Sequence, residues 1–212
     1  MIKLKGITKR YGDNFIYKDF NLEIEENKTL VILGESGVGK TTLLNVLAGL
    51  IEFSGEVIGK PEKISFVFQK DRLIPNLTVE ENINLVAKEE DVCSIIKDMG
   101  LFGKEKLYPK SLSAGMARRV AIARALAYKS TLLLMDEPFI NLDVALKYSL
   151  INSLKDSLTK NPRTCVLVTH DIYEAVSVAD RIIVLSEKGI VYDNSSINEK
   201  TEKELFGIMI ND

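Results

Sequence analysis

The start of the chain alternates between apolar and polar positions. Apolar residues recur at close to every second position in two runs, residues 2–7 and 15–24, and the turn-forming segment 11–14 separates them. Successive side chains of a β-strand point to opposite faces, so this pattern predicts two antiparallel strands joined by a turn. We expect this pair to lie at the edge of a sheet.

Five later runs are short and mainly apolar, and several of them are apolar throughout instead of alternating. They comprise residues 29–33, 64–68, 132–135, 165–169 and 182–185. A strand that is covered on both faces must be apolar at successive positions, as in parallel sheets. Helical patterns lie between some of these runs, so the sequence predicts an α/β fold with a buried sheet.

The stretch from about 70 to 129 carries helical signals. Thr78 followed by Glu81 is typical of a helix N-terminus, apolar residues at 92, 95, 96 and 99 have helical spacing, and a third helix fits residues 113–128. We therefore predict one domain, residues 1–212, in which a helical insert at approximately 70–129 interrupts the α/β core. A short helix is also expected at residues 201–209.

Composition and charge narrow the function classes. The 212 residues are 46% hydrophobic and 27% charged, and 28 basic residues are balanced by 30 acidic ones, which argues against nucleic acid as a partner. The longest uncharged stretch, residues 41–51, is about half as long as the roughly 20 residues of a membrane-spanning helix. The N-terminus has no signal-peptide pattern, and Cys93 and Cys165 share no metal-ligand spacing. These features predict a cytoplasmic protein.

Residues 34–41, Gly-Glu-Ser-Gly-Val-Gly-Lys-Thr, match the complete G-x-x-x-x-G-K-[ST] phosphate-loop pattern. The loop follows an apolar strand and precedes an apolar helix, which is the context that the motif requires. Its backbone N–H groups would point at a phosphate, Lys40 would neutralise the β- and γ-phosphates, and the Thr41 hydroxyl would bind Mg²⁺. The residues expected to bind the nucleotide here are Gly34, Glu35, Ser36, Gly37, Val38, Gly39, Lys40, Thr41 and Thr42.

Two acids, Asp136 and Glu137, follow the apolar run 132–135. Asp136 is placed to hold Mg²⁺ through water, and Glu137 is placed to orient and deprotonate an attacking water. A strand ending in two solvated carboxylates is the alternative, and the phosphate loop makes the catalytic interpretation the better one.

His170 is the only histidine and follows the apolar run 165–169. Ligands of open α/β sheets bind outside this end of the strands, so we expect His170 at the site. Asp171 together with Glu174 is expected to cap the next helix.

The segment Leu112-Ser-Ala-Gly-Met116 begins a helix that continues to Leu126. A turn of small residues at a helix N-terminus can bind an anion. Taken alone, these residues favour simple capping of the helix by Ser113 over an anion site.

Together these motifs resemble those of the ATP-binding subunits of ABC transporters. They occur in that family's order from Tyr11 to about Leu185: the phosphate loop, Gln69, the signature segment 112–116, the pair 136–137, the loop 141–143 and His170. The resemblance implies the fold of that family, a P-loop NTPase core with an N-terminal antiparallel β subdomain and a helical insert.

The resemblance also implies roles for single residues. Glu137 would be the catalytic base, His170 would contact the γ-phosphate, and Gln69 would sense Mg²⁺ and the attacking water. Tyr11 would stack on adenine. In the family, signature residues cap the ATP of a partner subunit and an acid after the 136–137 strand links the two sites. Those positions are Ser113, Gly115 and Asp143.

The assembly that the resemblance implies is a transporter. It contains two ATPase subunits, identical or paralogous, which sandwich ATP and Mg²⁺, together with membrane permease subunits and a solute-binding protein. The ATPase would lie on the inner face of the cell membrane through the permease. Met116 and the segments 136–139 and 168–175 are most similar to importers of nitrate, sulfonate, taurine and pyrimidine precursors.

Two positions depart from the family pattern. Ala114 replaces a usual glycine, and Asn141 replaces a usual small residue. The methyl group of Ala114 would impede close approach to a γ-phosphate and so slow hydrolysis. This leaves open the alternative that the chain is a nucleotide-dependent regulatory module with little turnover. A non-transport ABC-type ATPase, such as a DNA-repair or chromosome ATPase, is a further alternative, although those proteins separate the phosphate loop from the signature by a long coiled coil.

Overall fold

The computed structural model describes residues 1–87, 91–140 and 142–211. The strands are β1 (Ile2–Tyr11), β2 (Asn14–Ile24), β3 (Thr29–Leu33), β4 (Ser54–Ile58), β5 (Ile64–Val67), β6 (Leu132–Asp136), β7 (Thr164–Val168), β8 (Arg181–Ser186) and β9 (Gly189–Asn194). The helices are α1 (Lys40–Ala48), α2 (Val79–Asn84), α3 (Val92–Asp98), α4 (Ala114–Ala127), α5 (Val144–Lys160), α6 (Ile172–Val178) and α7 (Thr201–Asn211), with a 3₁₀ turn at Pro109–Ser111.

The large sheet has the strand order β5-β6-β7-β3-β8-β9. All five predicted apolar runs form strands of this sheet, and these five strands are parallel to one another. The edge strand β9 pairs with β8 in the antiparallel direction, is at most partly buried, and was not predicted from the sequence. The prediction of an α/β fold with a buried sheet is confirmed.

The N-terminal hairpin belongs to a separate small sheet of order β2-β1-β4. The antiparallel pairing and the turn are as predicted, with Ile2 opposite Ile24 and Tyr11 opposite Asn14. Its predicted place at a sheet edge is wrong for β1, which is the middle strand because β4 pairs with its other side. Most of β4 is exposed, so its sequence carries no burial pattern, and it forms because it pairs with β1.

Two apolar cores lie on opposite faces of the large sheet. Alternate residues of β6 supply them: Leu132 and Leu134 face the small sheet and α1, whereas Leu133 and Met135 face the helices α2 to α7. Because side chains alternate along a strand, a strand between two cores must be apolar at every position. This explains the uniform runs in the sequence.

Three helices, α2, α3 and α4, lie between β5 and β6 in the chain, at the predicted positions. The Thr78 hydroxyl accepts a hydrogen bond from the Glu81 N–H, and the Glu81 carboxylate accepts one from the Thr78 N–H at 2.7 Å. The helix α3 ends before Gly100, whose φ is +62°. Treating the whole stretch 70–129 as a helical subdomain stays a prediction.

In the three described ranges, no helix is long and apolar enough to cross a membrane.

We expect Thr78→Ala to lower the free energy of unfolding by about 1 kcal/mol, because the hydroxyl that caps α2 is removed. Thr78→Ser keeps the hydroxyl and is the matched control, which should remain close to the wild type. Urea unfolding followed by circular dichroism measures both. Equal losses for alanine and serine would show that the methyl group, and not the cap, is responsible.

Candidate functional site

The phosphate loop connects β3 to α1 and folds through two glycines that tolerate no side chain. Gly34 has φ +153° and Gly39 has φ +109°. A Cβ atom would collide with the backbone of Leu185 at the first position and with the side chain of Ile16 at the second. The Tyr17 hydroxyl donates to the Gly39 carbonyl at 2.9 Å. The small sheet therefore supports the loop at the start of α1.

The N-terminus of α1 is open. Its N-cap is Gly39, and no side chain accepts a hydrogen bond from its first N–H groups. Uncapped N–H groups and the helix dipole together favour an anion at this position. An anion with several oxygens, such as a phosphate, fits these donors.

Lys40 is buried against the loop that precedes it. Its side-chain nitrogen donates to the carbonyl oxygens of Gly34 and Glu35, each at 2.7 Å. The residue is 7% exposed. Burial lowers the pKa of Lys40, and the charges of Glu137, Asp136 and Glu35 oppose that shift. The Lys40 ammonium is therefore held at the site by carbonyl groups of the loop, which replace the water that it has lost.

Thr41 and Asp136 meet across the carboxyl ends of β3 and β6. The Thr41 hydroxyl donates to the two Asp136 carboxylate oxygens at 2.9 and 3.1 Å. Asp136 is 3% exposed, and burial raises the pKa of its carboxyl group while the Thr41 hydrogen bond opposes the shift. Hydroxyl and carboxylate oxygens are the ligands that Mg²⁺ prefers. Their contact fits a Mg²⁺ ion beside the phosphates.

Glu137 is held in an unusual backbone conformation. Its φ is +47°, in the left-handed region that residues with a side chain rarely adopt. Its N–H donates to the Val168 carbonyl at 2.9 Å, and both of its carboxylate oxygens lie 3.0 Å from Nδ1 of His170. The Glu137 side chain is 12% exposed and that of His170 is 57% exposed. The pair therefore joins the ends of β6 and β7 and faces outward.

One cavity of about 270 Å³ collects most of the predicted residues. Its lining consists of Ser36, Gly37, Gly39, Lys40, Thr41, Thr42, Gln69, Asp136, Glu137 and Val168. Gly34, Glu35 and Val38 line an adjoining cavity beside the turn between β8 and β9. His170 reaches the first cavity through Glu137.

Tyr11 is not among the residues that line these cavities. It stands at the end of β1 with half of its surface exposed. The Lys9 ammonium lies over its ring, 4.9 Å from the ring centre. The ring is free to contact a flat ligand on its exposed face.

The signature residues and Asp143 form a second group away from the cavity. Ser113 caps α4 by accepting from the Met116 N–H, and Asp143 caps α5 by accepting from the Leu146 N–H at 2.9 Å. A Cβ atom on Gly115 would lie 2.8 Å from the Leu146 side chain, so the starts of α4 and α5 are packed together. Asn141 lies outside the described residues.

The predicted cap of α6 is half correct. Asp171 accepts from the Glu174 N–H, as expected. The Glu174 carboxylate turns inward instead, because it accepts from Thr169 at 2.6 Å and pairs with Lys147 at 2.8 Å. Lys147 also binds Asp171 at 2.7 Å. This network beside His170 joins residues that are far apart in the chain. No local sequence pattern predicted that Lys147 would take part in it.

The structure also reveals a buried arginine that sequence reasoning left without a role. Arg118 is 3% exposed and lies on the face of α4 that carries Ala121, Ile122 and Ala125. The sequence did contain a signal for this burial. Helical spacing places Arg118 at a position where an apolar residue is expected.

The fold and the phosphate loop define a P-loop nucleoside triphosphatase with an additional antiparallel sheet and helices inserted between β5 and β6. Residues 17–140 match the family model described as ABC transporter. The chain therefore belongs to the ABC transporter family, as one of its ATP-binding cassettes.

Individual proteins agree with this assignment. The aliphatic sulfonates import ATP-binding protein SsuB 1 of Rhodococcus jostii is 39% identical, over 91% of this chain and 82% of that protein. The dimeric structure of the bacterial ABC transporter cassette MJ0796 has a TM-score of 0.82 at 33% identity and covers 92% of this chain and 98% of its own. A post-hydrolysis state of MJ0796 with ADP and Pi also has a TM-score of 0.82, at 32% identity and the same coverage.

The buried carboxylate gives a prediction for stability. Because the pKa of Asp136 is raised in the folded state, its charged form destabilises the fold at pH values above that pKa. Without nucleotide and Mg²⁺, Asp136→Asn should raise the Tm at pH 7, and the gain should shrink as the pH falls and the wild-type carboxylate is protonated.

The matched control is Asp71→Asn, which should lower the Tm because Asp71 is the carboxylate partner of buried Arg118 at 3.1 Å. Differential scanning fluorimetry compares the two. Equal losses of Tm for both variants would contradict the electrostatic explanation for Asp136.

Proposed function

We propose that this chain is the ATP-hydrolysing motor subunit of an ABC importer of a small solute. The observation that carries the proposal is the contact between Thr41 of the phosphate loop and Asp136 of β6. It joins a phosphate-binding element to a cation-binding carboxylate at one cavity, next to the pair Glu137 and His170. A binding site for anions alone would have no use for the two acids Asp136 and Glu137.

Binding of the nucleotide is the first task. The uncapped N–H groups of α1 and the ammonium of Lys40 bind the phosphates. Mg²⁺ would be held by Thr41 and, through water, by Asp136, with Gln69 at its edge, and it would offset the negative charge that develops on the phosphates. Before the nucleotide binds, the carbonyls of Gly34 and Glu35 hold the Lys40 side chain along the loop.

Activation of water is the second task. Glu137 accepts the proton of the attacking water, and His170 orients the Glu137 carboxylate and contacts the γ-phosphate. The distances of 3.0 Å between His170 Nδ1 and the two Glu137 oxygens support this pairing. Gln69 lines the same cavity and is placed to hold the water.

The remaining residues act across a dimer. Tyr11 stacks on adenine with its exposed ring, and Ser113 and Gly115 cap the nucleotide of a partner subunit, with Asp143 linking the two sites. None of them lines the cavity of its own chain, which supports this assignment, since one chain then supplies two different half-sites. The match to a dimeric cassette structure also supports it. The partner is a second copy or a paralogue.

Coupling to transport requires a surface for the permease. Ile74 and Leu85 follow Gln69 in the chain and remain 37% and 53% exposed. Asn82 hydrogen-bonds both the N–H and the carbonyl of Ile74, which fixes that loop on α2. These exposed apolar side chains, on the segment that follows Gln69 in the chain, support docking of a permease segment on the subdomain 70–129. Through the permease, the chain lies on the cytoplasmic face of the membrane.

The direction and class of transport follow from the relatives. The similar protein of Rhodococcus jostii is an import ATP-binding protein for aliphatic sulfonates. We assign this chain to an importer of the nitrate, sulfonate, taurine and pyrimidine-precursor group, with a solute-binding protein in the same system. The retained Glu137 and His170 favour turnover over the alternative of a slow regulatory module.

Lys40→Ala should abolish productive ATP binding, because the buried cation at the phosphates is removed. Lys97→Ala, which deletes an exposed lysine of α3, is the matched control and should bind as the wild type does. Isothermal titration calorimetry with ATP measures both. Wild-type affinity in Lys40→Ala would refute the assignment of the phosphate loop.

Glu137→Gln should accumulate as an ATP-bound dimer, because the amide keeps the contacts of the site and cannot accept the proton. Size-exclusion chromatography with light scattering in Mg²⁺-free ATP, compared with ADP, measures the shift from monomer to dimer.

A monomeric Glu137→Gln at saturating ATP has two explanations, and Ala114→Gly in the same background separates them. Recovery of the dimer would assign the defect to the Ala114 methyl group. Continued monomer would refute the sandwich model for this chain.

A further inference from the structure

Arg118 places a guanidinium group in the interior of the protein, between α4 and the carboxyl ends of β5 and β6. A buried guanidinium needs a hydrogen-bond acceptor for each group that faces the protein, because it has lost water. Arg118 finds most of these acceptors on backbone carbonyls, and these carbonyls belong to the two segments that carry Gln69 and Glu137.

One edge of the guanidinium holds the segment after β6. Nε donates to the Pro138 carbonyl at 2.7 Å, and one terminal nitrogen donates to the carbonyls of Glu137 at 2.5 Å and Asp136 at 3.3 Å. The Glu137 N–H is bound on its other side by Val168. Glu137 is therefore held in its left-handed conformation through both its own N–H and its own carbonyl.

The other terminal nitrogen holds the segment after β5. It donates to the Phe68 carbonyl at 2.6 Å and approaches the Gln69 carbonyl at 3.4 Å. The Asp71 carboxylate, 3.1 Å away, supplies the opposite charge. One rigid planar group thus spans the backbones of both residues.

We propose that Arg118 is a positioning residue for ATP hydrolysis, which sets the separation of Gln69 and Glu137 through their carbonyl groups. The inference rests on the proposed function of those two residues. Arg118 is not among the residues that line the cavity, so it acts on the catalytic step and not on nucleotide binding. It also stands one turn after Ala114 in α4, which ties both segments to the helix that begins at the signature.

Arg118→Lys is the primary variant. Lysine keeps the charge and the pairing with Asp71, but a single ammonium cannot bridge two segments as the planar fork does. We expect unchanged ATP affinity and KM and a kcat lowered by roughly 10- to 100-fold, the loss typical of a catalytic group displaced by about 1 Å.

Arg124→Lys is the matched control. Arg124 lies on the same helix and donates to the carbonyls of Asp71 and Arg72 at 3.2 and 3.0 Å, so it makes the same kind of contact without reaching Gln69 or Glu137. Its kcat should equal that of the wild type. ATP hydrolysis by the wild type and by this control tests the proposed function independently of Arg118.

A double variant tests whether Arg118 works through Glu137. In the Glu137→Gln background, Arg118→Lys should lower the residual single-turnover rate by a much smaller factor than in the wild type, because only the effect through Gln69 remains. An undiminished kcat in folded Arg118→Lys, or a loss of ATP affinity as large as the loss of kcat, would overturn the proposal. If Arg118→Lys does not fold, Arg118→Gln replaces it, and failure of both to fold would reduce Arg118 to a stability residue and overturn the proposal as well.

Discussion

The parallel pairing of β3, β6 and β7 is the constraint on which the site depends. In this arrangement the three strands end at one edge of the sheet, so the phosphate loop, the pair 136–137 and His170 emerge side by side although the chain separates them widely. The register aligns Asp136 with Val168, and the next peptide unit continues the ladder because the Glu137 N–H binds the Val168 carbonyl. A slip of one residue would move Asp136 to the opposite face of the sheet and away from Thr41.

The same edge concentrates charges that folding alone disfavours. Burial lowers the pKa of Lys40 and raises that of Asp136, so the charged form of each group is less stable here than it would be in water. The left-handed Glu137 adds backbone strain at the next residue. Binding of a triphosphate with its cation would supply the partners that these groups lack, so the site trades stability of the empty fold for affinity and reactivity.

The sequence predicted those parts of the structure that are encoded locally. Uniform apolar runs identified the five strands between the two cores, and the phosphate loop was recognisable because its glycines and Lys40 are adjacent in the chain. The strands β4 and β9 were not predicted, because β4 is largely exposed and β9 is at most partly buried, and each is held in place by pairing with a neighbouring strand of its sheet. The roles of Arg118 and Lys147 were not predicted for a related reason. The groups that accept their hydrogen bonds lie on other elements and are brought near only by the fold.

Arg118 and Lys147 each connect their own helix to segments from other parts of the chain. In the proposed sandwich, the starts of α4 and α5 face the partner subunit, and the close packing of Gly115 on Leu146 makes them one body. From α4, Arg118 reaches the segments of Gln69 and Glu137, and from α5, Lys147 reaches Asp171 and Glu174 beside His170. Under this proposal, the groups that would meet the partner's nucleotide and the groups that would cleave the chain's own nucleotide are held by the same two helices. A movement of these helices that admits a partner's phosphate must also displace the chain's own catalytic groups, unless Arg118 and Lys147 release their acceptors. Arg118 is buried and Lys147 is partly buried, so release would cost each charge its ion-pair partners, and under this proposal the two half-sites of one chain would move together.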